Sequence, residues 1–341
     1  MIDTEKERLK SSRQEYEESN NGPDGHSFQQ NKMHWCTIFV ALAAAAPALS
    51  APVSSPQPAS TSTPSHALWL WKSAEIIQDP AHLTKFLSVV ANPDNAITRV
   101  HAHIDRNVAN AEWGSFIEEC GARGVAVEAL MGDKQWVLGS TTAPQGPTLQ
   151  RQLDWIEQYQ TKASARAKFA GIHMDVEPWG LPGWEVKENA AHVQSLVGSL
   201  VAIADKVAHV ANRLSITAAA DLPFFATSVP CEDATLATCL LGYLDSVTFM
   251  TYRQTSAAVL DMATPLLKAV EKAHPGKPTW LAVETCEACD PEVAEISYTG
   301  KSVGDLMRDL AAVERNATAY SGFAGVAIHS YEDFVKLPLS V

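Results

Sequence analysis

Short apolar runs recur along the chain after residue 65, and most are followed by a longer amphipathic stretch. The runs are typical of buried strands, and the longer stretches carry apolar residues at the spacing of one helix face. The predicted strands are Ala67–Trp71, Ile97–Ile104, Gly124–Met131, Phe169–Glu177, Leu214–Ala220, Ser246–Tyr252, Thr279–Glu284 and Gly325–Tyr331. The intervening helices include Ala74–Val90, Leu149–Ala167, Val186–Ala211, Ala257–Ala273 and Val303–Arg315.

Eight strands that alternate with helices favour parallel pairing through right-handed crossovers. The segment 66–341 is close to the ~250 residues typical of a closed (β/α)8 barrel. An open doubly wound sheet is the alternative, but it requires a Gly-rich phosphate turn after the first strand, and Trp69–Ser73 contains no glycine. We therefore predict an α/β fold, a single-domain (β/α)8 TIM barrel.

The fourth predicted strand, within Phe169–Trp179, ends in a polar cluster. His173, Asp175 and Glu177 alternate with apolar residues, so their side chains share one face of the strand. Pro178 cannot continue a central strand, which places Glu177 at its C-terminal end. Carboxylates and an imidazole are costly to bury for stability alone, so the cluster indicates a functional site.

The other predicted strands also end in polar residues, and functional groups of a TIM barrel gather at this face. For each residue other than Asp175 and Glu177, a structural ion pair is an equal alternative. The candidates are Lys72, His101, His103, Asp105, Glu128, Asp133, His173, Asp175, Glu177, Asp221, Tyr252, Arg253, Glu284, His329 and Tyr331.

The chain has nine tryptophans, and several lie near predicted strand ends, where aromatic faces can stack on sugar rings. Trp71 and Trp179 are predicted to lie in the cleft. For Trp69, Trp136 and Trp184, packing in the core or in loops is the alternative. A net charge of −13 argues against nucleic acid or an anionic membrane as partner. We expect a monomer without a cofactor.

The first 65 residues concern localisation. Residues 1–32 are charged and polar and are predicted to be a disordered tail or a gene-model extension before Met33. The apolar run Trp35–Ala46, followed by small residues, predicts a signal peptide over 33–50, with a signal anchor as the alternative. It is shorter than the ~20 residues of a membrane span. Residues 51–65 form a Ser/Thr/Pro-rich linker, and we predict a secreted protein.

Cysteine positions agree with an oxidising compartment. Two local disulfides are predicted, between Cys231 and Cys239 and between Cys286 and Cys289. A redox or metal role is the alternative for the second pair, which has no partner motif that would complete a zinc site. Cys120 is left over and expected to be buried, and Asn316 begins a possible glycosylation sequon.

The segment Gly171–Glu177 resembles the strand-4 signature of glycoside hydrolase family 18, Asp-Gly-x-Asp-x-Asp-x-Glu, at Gly171, Asp175 and Glu177. Phe249–Tyr252 resembles that family's Met-x-Tyr, and 325–330 its strand-8 segment. The resemblance implies that Glu177 is the general acid. It further implies that Asp175 and Tyr252 orient a substrate acetamido group for substrate-assisted attack.

This chain departs from that pattern at four positions. Ala170 and His173 replace the first two aspartates, Arg253 replaces an acidic or amide residue, and His329 stands where the family carries tryptophan. The predicted substrate-binding residues are His173, Trp179, Trp71, His103, Arg253, His329 and Tyr331.

Glu177-Pro178 also resembles the Glu-Pro of a large clan of retaining glycosidases, whose nucleophile is a glutamate that ends strand 7. Glu284 occupies that place, and retention requires the two carboxyls to be about 5–5.5 Å apart. The structural alternative for Glu284 is an ion pair with Arg253. The catalytic candidates are therefore Glu177, Asp175, Glu284 and Tyr252.

Two hypotheses lie outside glycosidase chemistry. His101, His103 and His173 could hold a divalent metal that activates water. Barrels of this kind that lack catalysis can also bind carbohydrate without cleaving it. Carboxylates dominate strands 4 and 7, so we expect a secreted glycoside hydrolase acting on a polysaccharide or glycoconjugate, without a metal.

Overall fold

The computed structural model of this chain describes residues 65–139, 148–184, 190–287 and 295–339. The predicted tail (1–32), signal peptide (33–50) and nearly all of the linker (51–65) lie outside these residues, as does Cys289 of the predicted Cys286–Cys289 disulfide.

Eight parallel strands close into a barrel. They are β1 His66–Leu70, β2 Ile97–His103, β3 Ala126–Met131, β4 Gly171–Met174, β5 Thr217–Pro223, β6 Ser246–Met250, β7 Thr279–Glu284 and β8 Phe323–His329. Around the barrel each strand pairs with its sequence neighbours, and β8 pairs with β1. The predicted (β/α)8 fold is confirmed.

Helices surround the barrel. They are α1 Ser73–Ile77, α2 Pro80–Ala91, α3 Asn110–Gly121, α4 Leu149–Lys162, α5 Ala190–Leu214, α6 Leu236–Leu241, α7 Ser256–Ala273, α8 Val303–Ala317 and α9 Tyr331–Phe334. The predicted helix Ala74–Val90 is two helices, because Asp79 caps α2 by accepting from the amides of Ala81 and His82, and Pro80 occupies its first position.

The boundaries of the fourth and fifth strands differ from those predicted. β4 ends at Met174, so Glu177 lies three residues beyond it. β5 begins at Thr217 and reaches Pro223, whereas Leu214 ends α5. Leu214 extends the apolar face of that helix, and an apolar residue at this junction fits either element. As a result, Asp221 lies inside β5, with its side chain buried.

The barrel interior is mixed in character. A small apolar cluster fills part of it, formed by Ala67, Trp69, Leu130, Trp280, Ala282 and Ala327. Branched apolar side chains usually fill the remaining layers of such a barrel. Here the buried residues include His101, Glu128, His173, Asp221 and Glu284. The large apolar core lies instead between the strands and the helices.

The predicted Cys231–Cys239 disulfide is present, and Cys120 is a free, buried cysteine of α3, as expected. Within the described residues, α5 is the one helix long and apolar enough to cross a membrane. Nine of its residues, including Leu196, Leu200 and Val207, are buried in the core, which accounts for its hydropathy.

Candidate active site

Asp175 and Glu177 follow β4 at the C-terminal face of the barrel. The Asp175 amide donates to the Met131 carbonyl at 2.9 Å, which extends the pairing of β3 and β4 past the strand end. Gly132 permits this approach, because a Cβ there would lie 1.7 Å from the Asp175 carbonyl oxygen. The indole N–H of Trp179 donates to Glu177 Oε2 at 2.7 Å and fixes that carboxyl.

The two carboxyls are electrostatically strained. Burial raises the pKa of Asp175 well above its usual range, and the charges of Glu177 and Asp221 raise it further. Burial also raises the pKa of Glu177, against the lowering effect of the Trp179 hydrogen bond. Asp175 Oδ1 is buried and has no hydrogen-bond partner among the described residues. The pair therefore retains a proton at a pH where isolated carboxyls have lost theirs.

Glu284 ends β7 in a different environment. Its Oε1 accepts from the amides of Thr285 and Cys286 at 2.8 and 2.9 Å, and its Oε2 contacts His329 Nδ1 at 2.9 Å. The side chain is buried. Its predicted alternative partner, Arg253, donates instead to the Tyr252 carbonyl at 2.7 Å. Both oxygens of Glu284 are thus engaged, and three of the about four acceptor positions of its carboxylate are used.

His329 connects Glu284 to a predicted cleft residue. The Trp71 indole donates to His329 Nε2 at 2.8 Å, so Nε2 is an acceptor and Nδ1 carries the proton given to Glu284. Burial lowers the pKa of His329, but the charge and hydrogen bond of Glu284, together with the charges of Asp221 and Glu332, outweigh burial and raise this pKa overall. A second proton, on Nε2, would face the Trp71 N–H. The tryptophan therefore opposes the charged form that Glu284 favours.

Tyr252 follows β6 at the same face, and its ring lies 5.9 Å from that of His329. Burial, with the charges of Glu284 and Asp221, raises the pKa of Tyr252 well above its usual range. The phenol therefore remains protonated and able to donate a hydrogen bond. The His103 ring lies 5.7 Å from that of Trp71, as expected for a residue at the mouth.

A groove of about 520 Å³ lies beside the mouth and is lined by Phe224, Phe225 and Arg253, among others. The Phe225 ring is 6.2 Å from Trp179, so the groove and the carboxyl pair share an aromatic wall. Phe224 is 45% exposed, and its free face is suited to stacking on a flat or ring-shaped ligand.

Below the mouth, a set of buried polar groups runs into the barrel. His173 Nε2 contacts Asp221 Oδ1 at 2.7 Å, and its Nδ1 contacts Glu128 Oε2 at 3.3 Å. His101 Nδ1 contacts the same Glu128 oxygen at 2.9 Å, and Arg99 pairs with the other. Gly171, a residue of the strand-4 signature, permits the close approach of Thr217 and Glu128, since a Cβ there would lie 2.3 Å from Thr217 Oγ1 and 3.1 Å from Glu128 Oε1.

His101, Glu128 and His173 have polar atoms within 4.8 Å of one another, a spacing that a divalent cation could use. His103 is not in this group, so the predicted three-histidine set is not brought together. Glu128 Oε2 already bonds the Nδ1 atoms of both imidazoles and Arg99 neutralises Glu128, while His101 Nε2 is buried without a partner among the described residues. A cation would lie beside a guanidinium. We therefore assign these residues to the polar network and not to a metal.

Several candidates have structural contacts away from the carboxyl pair. Tyr331 is not brought to the site, because it begins α9 and its ring packs 4.9 Å from Phe86 in the core. Asp105 and Asp133 accept from backbone amides two residues ahead, and Lys72 pairs with Glu75. Asn316, of the predicted sequon, is exposed in α8.

Asp221 was predicted only as one of the strand-end candidates and Trp69 only as a tryptophan near a strand end, and neither was assigned to the catalytic or substrate-binding set. The Trp69 indole donates to Asp221 Oδ2 at 3.3 Å, and its ring faces those of His101, His173 and His329. The available signal was the rarity of a carboxylate inside an apolar run, Ala218-Ala-Ala-Asp-Leu222.

The fold and the site define a closed parallel (β/α)8 barrel with several carboxyls at its C-terminal mouth. No protein-family model and no curated protein matches this chain.

Solved structures are similar to it at low identity. The glycoside hydrolase domain of PgaB (BpsB) from Bordetella bronchiseptica is 14% identical, with a TM-score of 0.49, over 80% of this chain and 95% of that chain. A class V chitinase from Pseudomonas fluorescens Pf-5 is 11% identical, with a TM-score of 0.46, over 79% and 96%. A GH18 chitinase from Cycas revoluta is 11% identical, with a TM-score of 0.46, over 80% and 96%. The functional proposal below is built on the site.

Proposed function

We propose that this chain is a glycoside hydrolase in which Glu177 is the general acid. The observation that carries the proposal is the buried Asp175–Glu177 pair, whose raised pKa values keep a proton at the barrel mouth. A glycosidase needs such a proton for the leaving-group oxygen at a pH where an ordinary carboxyl is ionised. Trp179 holds the carboxyl of Glu177 in one orientation.

Asp175 and Tyr252 are suited to the other half of the reaction. Asp175 Oδ1 is a buried acceptor without a partner in the described part of the chain, and it can take a hydrogen bond from a substrate N–H. The protonated Tyr252 phenol can donate to a substrate carbonyl. An acceptor and a donor together match an acetamido group, whose oxygen attacks the anomeric carbon in substrate-assisted hydrolysis.

Glu284 supports this route over a covalent one. A nucleophile needs a free lone pair directed at the anomeric carbon. Three of the about four acceptor positions of Glu284 are already used within the protein, by two backbone amides and by His329. We therefore propose that Glu284 positions His329 and Trp71, and that the substrate is a 2-acetamido sugar polymer or glycoconjugate.

The test is hydrolysis by the purified protein on a panel of polysaccharides with and without 2-acetamido groups. Glu177→Gln should lower turnover about 10²–10⁴-fold on substrates with poor leaving groups, because the proton is lost. A nitrophenyl glycoside should recover much of that loss. Glu119→Gln, the same substitution at an exposed residue of α3, is the control and should behave as wild type.

Equal activity of Glu177→Gln and wild type on every substrate would overturn the assignment of the acid. Binding of a glycan without turnover by the wild type would favour a carbohydrate-binding barrel.

We also propose that the protein is secreted. The Cys231–Cys239 disulfide supports this, since disulfides persist in oxidising compartments. The apolar run Trp35–Ala46 supports it independently. N-terminal sequencing of protein from the native host should find a start near Ala51 or within the linker. An intracellular protein that begins at Met1 would contradict the proposal.

A further inference from the structure

Four charged or chargeable side chains form a line from the lower barrel to the catalytic mouth. In order they are Arg99, Glu128, His173 and Asp221, and we call them the buried column. Each is in contact with the next, from the Arg99–Glu128 ion pair to the 2.7 Å contact of His173 Nε2 with Asp221 Oδ1. Glu128 and His173 are 1% exposed and Asp221 is 3% exposed. Water therefore cannot satisfy these three groups, which depend on their neighbours, whereas Arg99 at the lower end is 29% exposed.

The hydrogen-bond partners of the two imidazoles indicate which of their nitrogens carry protons. Glu128 Oε2 receives both His101 Nδ1 and His173 Nδ1, and because it is an acceptor, each of these nitrogens carries a hydrogen. The other nitrogen of His173 contacts Asp221, so one proton lies between them. It belongs either to a His173 imidazolium beside an Asp221 carboxylate or to a protonated Asp221 beside a neutral ring.

One intrinsic difference and two contacts favour the ionic form, a His173 imidazolium beside an Asp221 carboxylate. An imidazole has a higher intrinsic proton affinity than a carboxylate, by about 2.6 pKa units. The Trp69 indole donates to the other Asp221 oxygen, which stabilises a carboxylate. The His101 ring stacks on His173 with centroids 3.8 Å apart, and burial lowers the pKa of His101 well below its usual range, so a neutral ring faces the imidazolium. Arg99 and His173 then balance Glu128 and Asp221, two charges of each sign.

The upper end of the column faces the catalytic carboxyls. β4 pairs with β5 with Met174 opposite Ala220, so Asp175 and Asp221 come next on these neighbouring strands. The negative charge of Asp221 accordingly acts on Asp175, and also on Glu177, Tyr252 and His329. Glu284 lies across the mouth, bonded to His329. A fixed negative charge beside two carboxyls disfavours ionisation of both.

We propose that the buried column holds Asp221 as a permanent carboxylate, and that Asp221 is a positioning residue which keeps the catalytic proton on the Asp175–Glu177 pair. The structural part of this proposal stands by itself, whereas the catalytic part rests on the proposed glycosidase function. Asp221 transfers no proton to the substrate in this scheme. It acts through the charge that it presents to the acid.

The first experiment tests the column without any substrate. In the full chain labelled with ¹⁵N-histidine, the His173 ring should give two N–H-type nitrogen resonances at neutral pH, and the signals are assigned by their loss in His173→Gln. Asp221→Asn should convert the ring to a neutral tautomer. A neutral His173 in the wild type would overturn the proposal, whether or not the protein is a glycosidase.

The second experiment measures the catalytic consequence. Activity falls on the alkaline side when the acid loses its proton, so a lower pKa moves that limb to lower pH. Asp221→Asn should shift the alkaline limb of kcat/KM down by on the order of one pH unit. Asp205→Asn, which removes the same charge from the exposed face of α5, should leave the limb in place. A reduced rate with an unshifted limb would assign Asp221 a merely structural role and overturn the catalytic part.

Failure of the two parts can be told apart. If no glycan is hydrolysed, the proposed function fails while the ¹⁵N spectrum still decides the state of the column. If Asp221→Asn does not fold, the ¹⁵N spectrum of the wild type still shows whether the His173 ring is charged.

Discussion

The barrel mouth contains two carboxylate centres, and they are built in opposite ways. On the β4 side, Asp175 and Glu177 crowd each other, and Asp175 Oδ1 has no partner in the described part of the chain. On the β7 side, Glu284 uses both oxygens in hydrogen bonds with two amides and an imidazole. Both centres lie at the end of a barrel strand, so position alone does not distinguish them.

The difference indicates which centre is available for chemistry. A carboxyl that lacks partners destabilises the fold and gains them when a substrate binds, so its strain is useful only in a binding site. A carboxyl with most of its acceptor positions filled by the protein stabilises the fold and has less to offer a substrate. Under the proposed function, we call the β4 side the reactive half and the β7 side the supporting half of the mouth. Substitutions in the two halves should then have effects of different kinds.

The largest effect is expected in the reactive half. Asp175→Asn keeps the shape of the side chain but removes its charge and its second acceptor. If Asp175 orients and stabilises the reacting group, kcat should fall about 10²–10³-fold, as for loss of one preorganised electrostatic contact. Steady-state kinetics on a 2-acetamido glycoside would measure this. Full activity of Asp175→Asn would contradict the assignment of the β4 side as the reactive half.

In the supporting half, loss of function should follow loss of stability. Glu284→Gln puts an amide nitrogen where an oxygen accepted, which leaves a buried amide or imidazole without its partner. The free energy of unfolding should fall by about 1–3 kcal/mol, measured by urea denaturation. Glu284→Asp is the companion variant, since it keeps the charge while shortening the reach.

Azide provides the decisive control for this variant. A nucleophile mutant should be rescued as a glycosyl azide, whereas a positioning mutant should not. Rescue by azide would identify Glu284 as a nucleophile and assign it to the reactive half.

The two halves should also differ in how stability depends on pH. Because the pKa values of Asp175 and Glu177 are raised in the folded state, the folded protein binds more protons than the unfolded chain above pH 3.8 to 4.5. The free energy of unfolding should therefore fall as the pH rises through the interval between the ordinary and raised values. Asp175→Asn should reduce this fall and be the more stable protein at neutral pH. Urea denaturation midpoints at pH 4 and pH 8 measure this fall in stability, with Asp205→Asn as the control. An equal change of the midpoint with pH in wild type and in Asp175→Asn would contradict the electrostatic strain at Asp175.

The smallest effect is expected from metal removal. Glu128 already bonds His101, His173 and Arg99, so dialysis against EDTA should leave both activity and the urea midpoint unchanged. Loss of activity that zinc or manganese restores would instead favour the metal-hydrolase hypothesis.

The alternation of apolar runs and amphipathic stretches was enough to predict the closed barrel. Boundaries were less predictable where one residue fits two elements. Leu214, predicted in strand 5, ends α5, and Tyr331, predicted at the mouth, starts α9 and packs on Phe86. In both cases the side chain packs on an apolar surface formed by residues that are distant in sequence, which a pattern along the chain cannot show.

The polar contacts were harder to predict, because they join strands that are distant in sequence. The pairing of Glu284 with His329 spans β7 and β8, and that of Asp221 with His173 and Trp69 spans β5, β4 and β1. Sequence identifies such residues as strand-end or buried polar groups. Which of them meet depends on the register and stagger of the closed barrel.

The buried column constrains how this sequence can change over evolutionary time. Removal of one member leaves a neighbouring charge without a partner in the interior, which typically costs about 3–5 kcal/mol. Simultaneous replacement of all four by well-packed apolar residues would not carry that cost. Single substitutions in the buried column are therefore destabilising, whereas a simultaneous change of all four residues need not be. We expect Arg99, Glu128, His173 and Asp221 to be retained together or lost together among homologous barrels, and to covary more strongly than surface ion pairs such as Glu119–Arg123.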